Sequence, residues 1–221
     1  NTPMLLVETA QSMANRLEAG ITGPDGEVIP PLAGMPYIRA RLEGASDATT
    51  TSLIEAHRLN SPFIIGDKGF KERFREACGY KSGAWIPWPK VSATFFRFDM
   101  NSLIHGAFLS NFEDGRIRIP RALTAFIEAR NVQQAVSGGV KNSPLDPTGK
   151  LRAVEYDAKE VYSNVPYHRV EYTAERITAF FNLDLSLLRS YGLPASALDL
   201  LVALSLLKVR RFLSNGTRLR T

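Results

Sequence analysis

Cysteine is almost missing from this chain: Cys78 stands alone among 221 residues. A single thiol closes no internal disulfide and completes no zinc quartet, which points to a reducing compartment. Histidine is nearly as scarce, and His57, His105 and His168 share no metal-ligand spacing with a carboxylate or with the cysteine. Long apolar runs are missing too. The longest stretch free of Lys, Arg, Asp and Glu is Met100–Phe112, too short and too polar to span a bilayer. The opening Asn1-Thr2-Pro3 does not begin the basic-then-apolar pattern of a secretory signal. No Walker loop, dinucleotide glycine fingerprint or nucleophile elbow occurs, and there is no repeat or low-complexity tract. The expectation is a globular, cytoplasmic protein with no membrane contact, no metal, no cofactor and no catalytic signature.

What is present is apolar residue enough for a core, 44% of the chain with 10% aromatic, and a net charge of +5. The charge is unevenly spread: residues 1–60 carry −3, 61–120 carry +3, 121–180 carry +1 and 181–221 carry +4. Arginine outnumbers lysine 19 to 8. Its planar donor fork matches phosphate, so the bias fits a phosphate-rich partner. Ordinary solvated helices in an Arg-rich proteome give the same ratio.

Periodicity predicts a helix over Met4–Ala19, with Leu6, Ala10, Met13 and Leu17 as its apolar stripe. A half-buried strand follows at Pro36–Leu42. Ser52-Leu53-Ile54-Glu55 reads as a capping box opening a helix that Ser61-Pro62 stops. Asp67–Cys78 predicts a helix ending at Gly79, Val91–Asp99 an aromatic-rich strand, and Asn101–Leu109 a helix. Gly115–Ile119 predicts a strand, and Pro120 then opens a helix over Arg121–Arg130. A strand at Val132–Ser137 runs into a glycine-rich loop, Gly138 to Pro144, followed by an insertion. Ile177–Leu185 alternates as a central strand, and Pro194–Leu213 is the longest helix, capped by Gly216 and followed by a strand start at Thr217–Thr221. This mixture lacks steady strand-helix alternation and indicates an α+β fold, with a ferredoxin-like core the commonest form. Because such a core opens on a strand, a chain beginning in a helix and ending in a strand implies missing residues at both ends.

Several groups suit a phosphate-sugar backbone. Gln11, Ser12, Asn15 and Arg16 share one helical surface; the alternative is an ordinary polar face. His57-Arg58 and His168-Arg169 each pair an imidazole with a guanidinium. In Ser137-Gly138-Gly139-Val140-Lys141-Asn142, the two glycines permit an anion-binding nest of backbone amides, and Lys141 adds a point charge. A plain hairpin reads equally well. Lys208, Arg210, Arg211, Arg218 and Arg220 form the densest basic cluster, part of which a helix C-terminus favours anyway. Trp85-Ile86-Pro87-Trp88-Pro89 reads as a stacking or docking loop, or as a lid on the core. Cys78, at a helix end on an apolar face, reads as a packed thiol.

The run Leu5–Glu18 resembles the first helix of the CRISPR-associated RAMP-superfamily backbone subunits of type I-G (formerly I-U) Cascade effector complexes. Ser52–Pro62, Asn101–Gly106, Arg118–Leu123, Ser137–Asn142, Val165–Arg169 and Arg211–Thr221 continue the match in order across nearly the whole chain. The resemblance implies one RRM-like (ferredoxin-like) palm over residues 1–221, with finger- and thumb-like insertions at about 61–95 and about 143–166. An N-terminal strand region and a C-terminal stretch would be absent. It implies a non-catalytic subunit that polymerises with further copies of itself in a helical filament along the guide crRNA and holds the phosphate backbone. Bases are then left free to pair with target DNA. Other Cascade subunits, the large subunit and a fused guide-end-binding and processing subunit, are the implied partners. The family's Gln-Ser-plus-basic pattern lands on Gln11, Ser12, Asn15 and Arg16, with Asn15 where a lysine is expected. His57, Arg58, Lys141 and Arg169 follow on chemistry and motif position, then Gly138, Gly139, Asn142 and His168, with Arg218 and Arg220 last. The rival is a RAMP-type endoribonuclease using His57 or His168 as base, or a thumb aspartate, Asp146 or Asp157. A third reading is a protein-interaction domain whose basic surface is incidental.

Overall fold

A computed structural model describes residues 2–42, 44, 48–145, 147 and 164–215. The fold is α+β. The chain divides into two compact units, a larger one of Glu8–Phe126 and the segment from Ala179, and a smaller one of the first residues to Val7 and Ile127–Thr178.

The chain opens on a strand, β1 (Met4–Glu8), and not on a helix. Thr9 separates the two elements. Its backbone is extended and its hydroxyl accepts the Ser12 amide at 3.2 Å, so α1 starts at Ala10 and runs to Ala19. Leu6 therefore does not belong to the stripe that includes Met13 and Leu17; its strand alternates exposed and covered positions.

A 3₁₀ turn at Pro30–Leu32 leads to β2 (Arg39–Arg41), which pairs antiparallel with β3 (Thr49–Thr51). Ser52 caps no helix; its buried hydroxyl accepts the Ile38 amide at 3.2 Å. The helical residues come later, a 3₁₀ turn at Arg58–Asn60 and α2 (Pro62–Ile65). Ser61-Pro62 thus begins a helix where the residues predicted a stop, Ser61 capping the Phe63 amide and Pro62 in the first turn.

Helix α3 (Lys68–Cys78) forms as predicted between the Asp67 cap and Gly79, whose φ of +62° suits a residue without a side chain. Val91–Asp99 is helical, not extended. It belongs to α4 (Trp88–Asp99), and its buried residues Val91, Ser92, Phe95 and Asp99 recur at helical spacing. Tertiary packing overrides the aromatic strand preference here: Phe74 of α3 meets Phe95 edge-on at 5.5 Å and Phe112 at 5.2 Å.

Helix α5 (Asn101–His105) stops at Gly106, short of Leu109. The next residues form β4 (Ala107–Phe108), antiparallel to β5 (Arg118–Ile119). The predicted helix over Arg121–Arg130 is instead β6 (Leu123–Arg130), with Leu123, Ala125, Ile127 and Ala129 buried in strict alternation. A period of two decided this segment, and Pro120 precedes a strand.

β7 (Gln133–Lys141) pairs antiparallel with β8 (Val165–Thr173) over nine residue pairs. β9 (Arg176–Leu183) is the predicted strand, but the sheet order β1-β6-β9 places β6 in the middle. Asp184 then accepts the Leu187 amide and starts α6 (Leu185–Ser190). α7 (Ala195–Ser214) is the predicted long helix, packing on α1, α5 and α6. Its buried line is narrow, and Leu200, Leu206 and Leu213 are exposed. Among the described residues no helix is long and apolar enough to cross a membrane. Gly216, the strand expected at Thr217–Thr221 and most of the 143–166 insertion lie outside the described residues.

Candidate nucleic-acid interface

A cleft of about 920 Å³ opens in the larger unit. Gln11 of α1, Ala56–Arg58 with Asn60, His105 at the end of α5, the β4 turn and Arg118–Arg121 line it. Gly106 makes this enclosure possible. Its φ is +82°, and a Cβ there would stand 2.9 Å from the Ile119 carbonyl and 3.3 Å from the Arg121 nitrogen. The missing side chain lets α5 turn directly against Ile119–Arg121, which brings Arg121 to the wall. Asn60 ties the far side, donating to Ser110 Oγ at 3.0 Å and accepting the Asn111 amide at 3.2 Å.

Among the described residues no carboxylate lines the cleft; Arg58, Arg118, Arg121, His57 and His105 do. Arg118 faces Phe108 across the β4–β5 pair, its guanidinium 4.2 Å from the ring centroid. Among the described residues neither Arg118 nor Arg121 pairs with an acid, so both present free donors to a ligand. His105 is fully buried with neither ring nitrogen hydrogen-bonded among the described residues. Burial, and then the neighbouring charges of Lys208, Arg58 and Arg121, hold its pKa well below the usual histidine range, so the ring is neutral.

Arg58 lines the cleft, but much of its fork is spent inward. Nε and Nη2 donate to the two oxygens of Glu18 at 2.6 and 2.7 Å, and Nη1 donates to the Gly106 carbonyl at 3.1 Å. Glu18 also accepts from Asn101 Nδ2 at 2.6 Å, and Asn101 Oδ1 accepts from the buried Lys208. Burial lowers Lys208 to about 7, against the raising effect of Glu18 and Asp99. Burial likewise raises Asp99 to about 6, despite a hydrogen bond from Ser102 at 2.8 Å. This buried network seats Arg58 from behind.

The four residues of the first-helix surface part company. Gln11 reaches the cleft and Asn15 is exposed. Ser12 and Arg16 turn back to the buried Glu8, Arg16 at 2.5 Å. His57 is exposed at the cleft. The glycine-rich nest is overturned: Gly138 and Gly139 are inside β7, opposite His168 and Tyr167, with their backbones in a hairpin ladder and neither at positive φ. Every residue of β7 and β8 is exposed. Alternation puts Lys141, Tyr167 and Arg169 on one face of this ribbon and His168 on the other, with Val136, Val170 and Tyr172. Arg169 has Glu171 at 3.6 Å, and Asn142 is exposed just beyond the strand. Arg218, Arg220, Asp146 and Asp157 lie outside the described residues. Lys208 of the terminal basic cluster is buried, and Arg211 donates to the Gly20 carbonyl at 2.5 Å.

Sequence reasoning missed Arg118 and Arg121 as ligand-facing residues. The signal for Arg118 was the alternation Arg116-Ile117-Arg118-Ile119, which sends every second side chain out of a short strand; Arg121 falls out of that register, and its place depends on the close approach at Gly106. Among the described residues no three His, Cys, Asp or Glu side chains gather as a metal-binding set.

Fold and cleft together define an α+β protein with a basic cleft that no carboxylate lines among the described residues. The family model for CRISPR-associated protein GSU0053 matches residues 1–134, and the chain belongs to that family. The matched span contains every residue lining the cleft. A comparison with curated proteins gave no match.

Proposed function

We propose that this protein is a non-catalytic backbone subunit of a type I-G Cascade complex, with the RRM-like palm of the RAMP superfamily. Copies of it assemble along the guide crRNA, hold the phosphate backbone and leave bases free to pair with target DNA. The observation that carries this reading is the cleft: two unpaired arginines, an exposed histidine and amide side chains, with no carboxylate among them. Such a surface attracts phosphate whatever the base sequence. Membership of a CRISPR-associated family supports the RNA-guided setting. Lys141 and Arg169, on one exposed face of the ribbon, offer a second set of cations. Partner subunits and a prokaryotic cytoplasmic location follow from the same reading.

The test is purification of the full-length protein with its partner subunits, followed by sizing of the RNA that accompanies it, with and without a chelator. A discrete, uncut RNA of guide length held by several copies is the expected result. RNA shortened by this subunit, and spared by His57→Ala, would replace the scaffold with a ribonuclease. No retained RNA would leave the basic cleft to another anion.

A further inference from the structure

Among the described residues Trp85 is the most exposed large apolar side chain, 89% accessible against 88% for Leu145. It sits in the loop joining α3 to α4, outside the lining of the cleft. The loop is held firmly. Ser82 donates its amide and hydroxyl to Glu113 at 3.1 and 2.9 Å, and Gly83 donates its amide to Asp114 at 3.0 Å. Arg116 reaches the Ala84 carbonyl at 2.8 Å, one residue before the indole. Glu113 and Asp114 are themselves braced by Arg75 and by Arg116 with Tyr80. A backbone fixed this closely presents its side chain with little ordering left to do on binding.

Charge indicates the occupant. No Asp or Glu occurs from Ala77 through Phe98, while Lys81 and Lys90 are exposed on the same stretch. The carboxylates that hold the loop, Glu113 and Asp114, are paired with the arginines that brace them. An exposed indole on a pinned backbone, in a stretch whose charges are cationic, fits a polyanion that carries flat aromatic faces. We propose that Trp85 is a stacking platform for an unpaired base of single-stranded nucleic acid, a site separate from the cleft and independent of the function assigned to it. Stacking is blind to the sugar and tolerant of base identity, whereas a duplex keeps its bases inside.

The experiment uses the full chain in a Trp88→Phe background, where Trp85 is the sole tryptophan. Its fluorescence is followed while oligo-dT, oligo-U or a duplex of the same length is added, with binding read independently by anisotropy of end-labelled strands. Both single strands should quench the emission and the duplex should not. Trp85→Ala should weaken single-strand binding by about 5- to 100-fold, the worth of one stacked base, with an unchanged circular-dichroism spectrum. Single strands that bind without quenching, equal quenching by the duplex, or no binding at all would each overturn the proposal. Adding Arg118→Ala and Arg121→Ala separates the two sites: loss of affinity with the quench retained at saturation upholds Trp85 stacking, and loss of the quench overturns it.

Discussion

Arg58 and Glu18, forty positions apart, meet in a two-pronged ion pair, Nε to Oε1 at 2.6 Å and Nη2 to Oε2 at 2.7 Å. Both side chains are largely buried, 13% and 8% exposed, and Arg58 holds a left-handed φ of +51°. Removing one partner strands the other charge away from water. Glu18→Ala should therefore lower stability by about 3–5 kcal/mol in urea unfolding. Arg58→Met combined with Glu18→Ala should lose less than the two single changes added together, because neither charge is then left alone. Strict additivity would show that the pair is not coupled.

The cleft makes a different prediction. Arg118 and Arg121 have no acid to satisfy among the described residues, so replacing them costs the fold little and the ligand much. Arg118→Ala with Arg121→Ala should weaken RNA binding at least tenfold, to the same extent for unrelated sequences. The dependence of log affinity on log salt should become shallower by about 0.7 for each lost phosphate contact. A loss confined to one sequence would mean base reading in place of backbone holding.

How legible this was depended on which signal each segment carried. α3 was readable because Asp67, the Phe70 and Phe74 stripe and Gly79 all agree. α7 was readable from length alone. β1 was hidden because Leu6 falls by coincidence on the stripe of α1, and only the Thr9 cap separates them. α4 was misread because Val91, Phe95 and Phe98 favour strands locally, while contact with Phe74 decides the outcome. The same limit applies to the site. Gln11 and His57 were found by chemistry, but their meeting with Arg118 and Arg121 depends on Gly106, whose role is tertiary.

Arg16 and Lys141 looked equivalent as cations, and the fold separates them. Arg16 is committed to the buried Glu8, whereas Lys141 stands exposed on the ribbon. Arg16→Ala should lower the melting temperature, by a few degrees for a loss of about 1–2 kcal/mol. Lys141→Ala should leave melting unchanged and weaken RNA binding several-fold across unrelated guides. Thermal melting alongside filter binding reads both effects, and a reversed pattern would place the RNA on the first helix instead.

Lys208 predicts a pH dependence whose sign is fixed by its burial. In the folded chain it releases its proton near pH 7; in the unfolded chain it does so near 10.5. Between these values the unfolded state binds more protons, so stability rises with pH. The cost of burying the charged amine is therefore present in full below about pH 7 and is relieved as pH climbs towards 10.5. The slope from this one group is at most about 1.4 kcal/mol per pH unit. Asp99 acts in the opposite sense, protonated in the fold up to about pH 6, so its cost is relieved as pH falls towards 3.8. His105 opposes that acid-side gain, because its lowered pKa makes the fold lose stability as pH falls below 6.5, so the alkaline limb is where Lys208 is read. In Lys208→Met the rise above pH 7 should flatten. Melting temperatures measured from pH 4.5 to 9.5 decide it: an unchanged alkaline rise in the variant would assign that proton to another group.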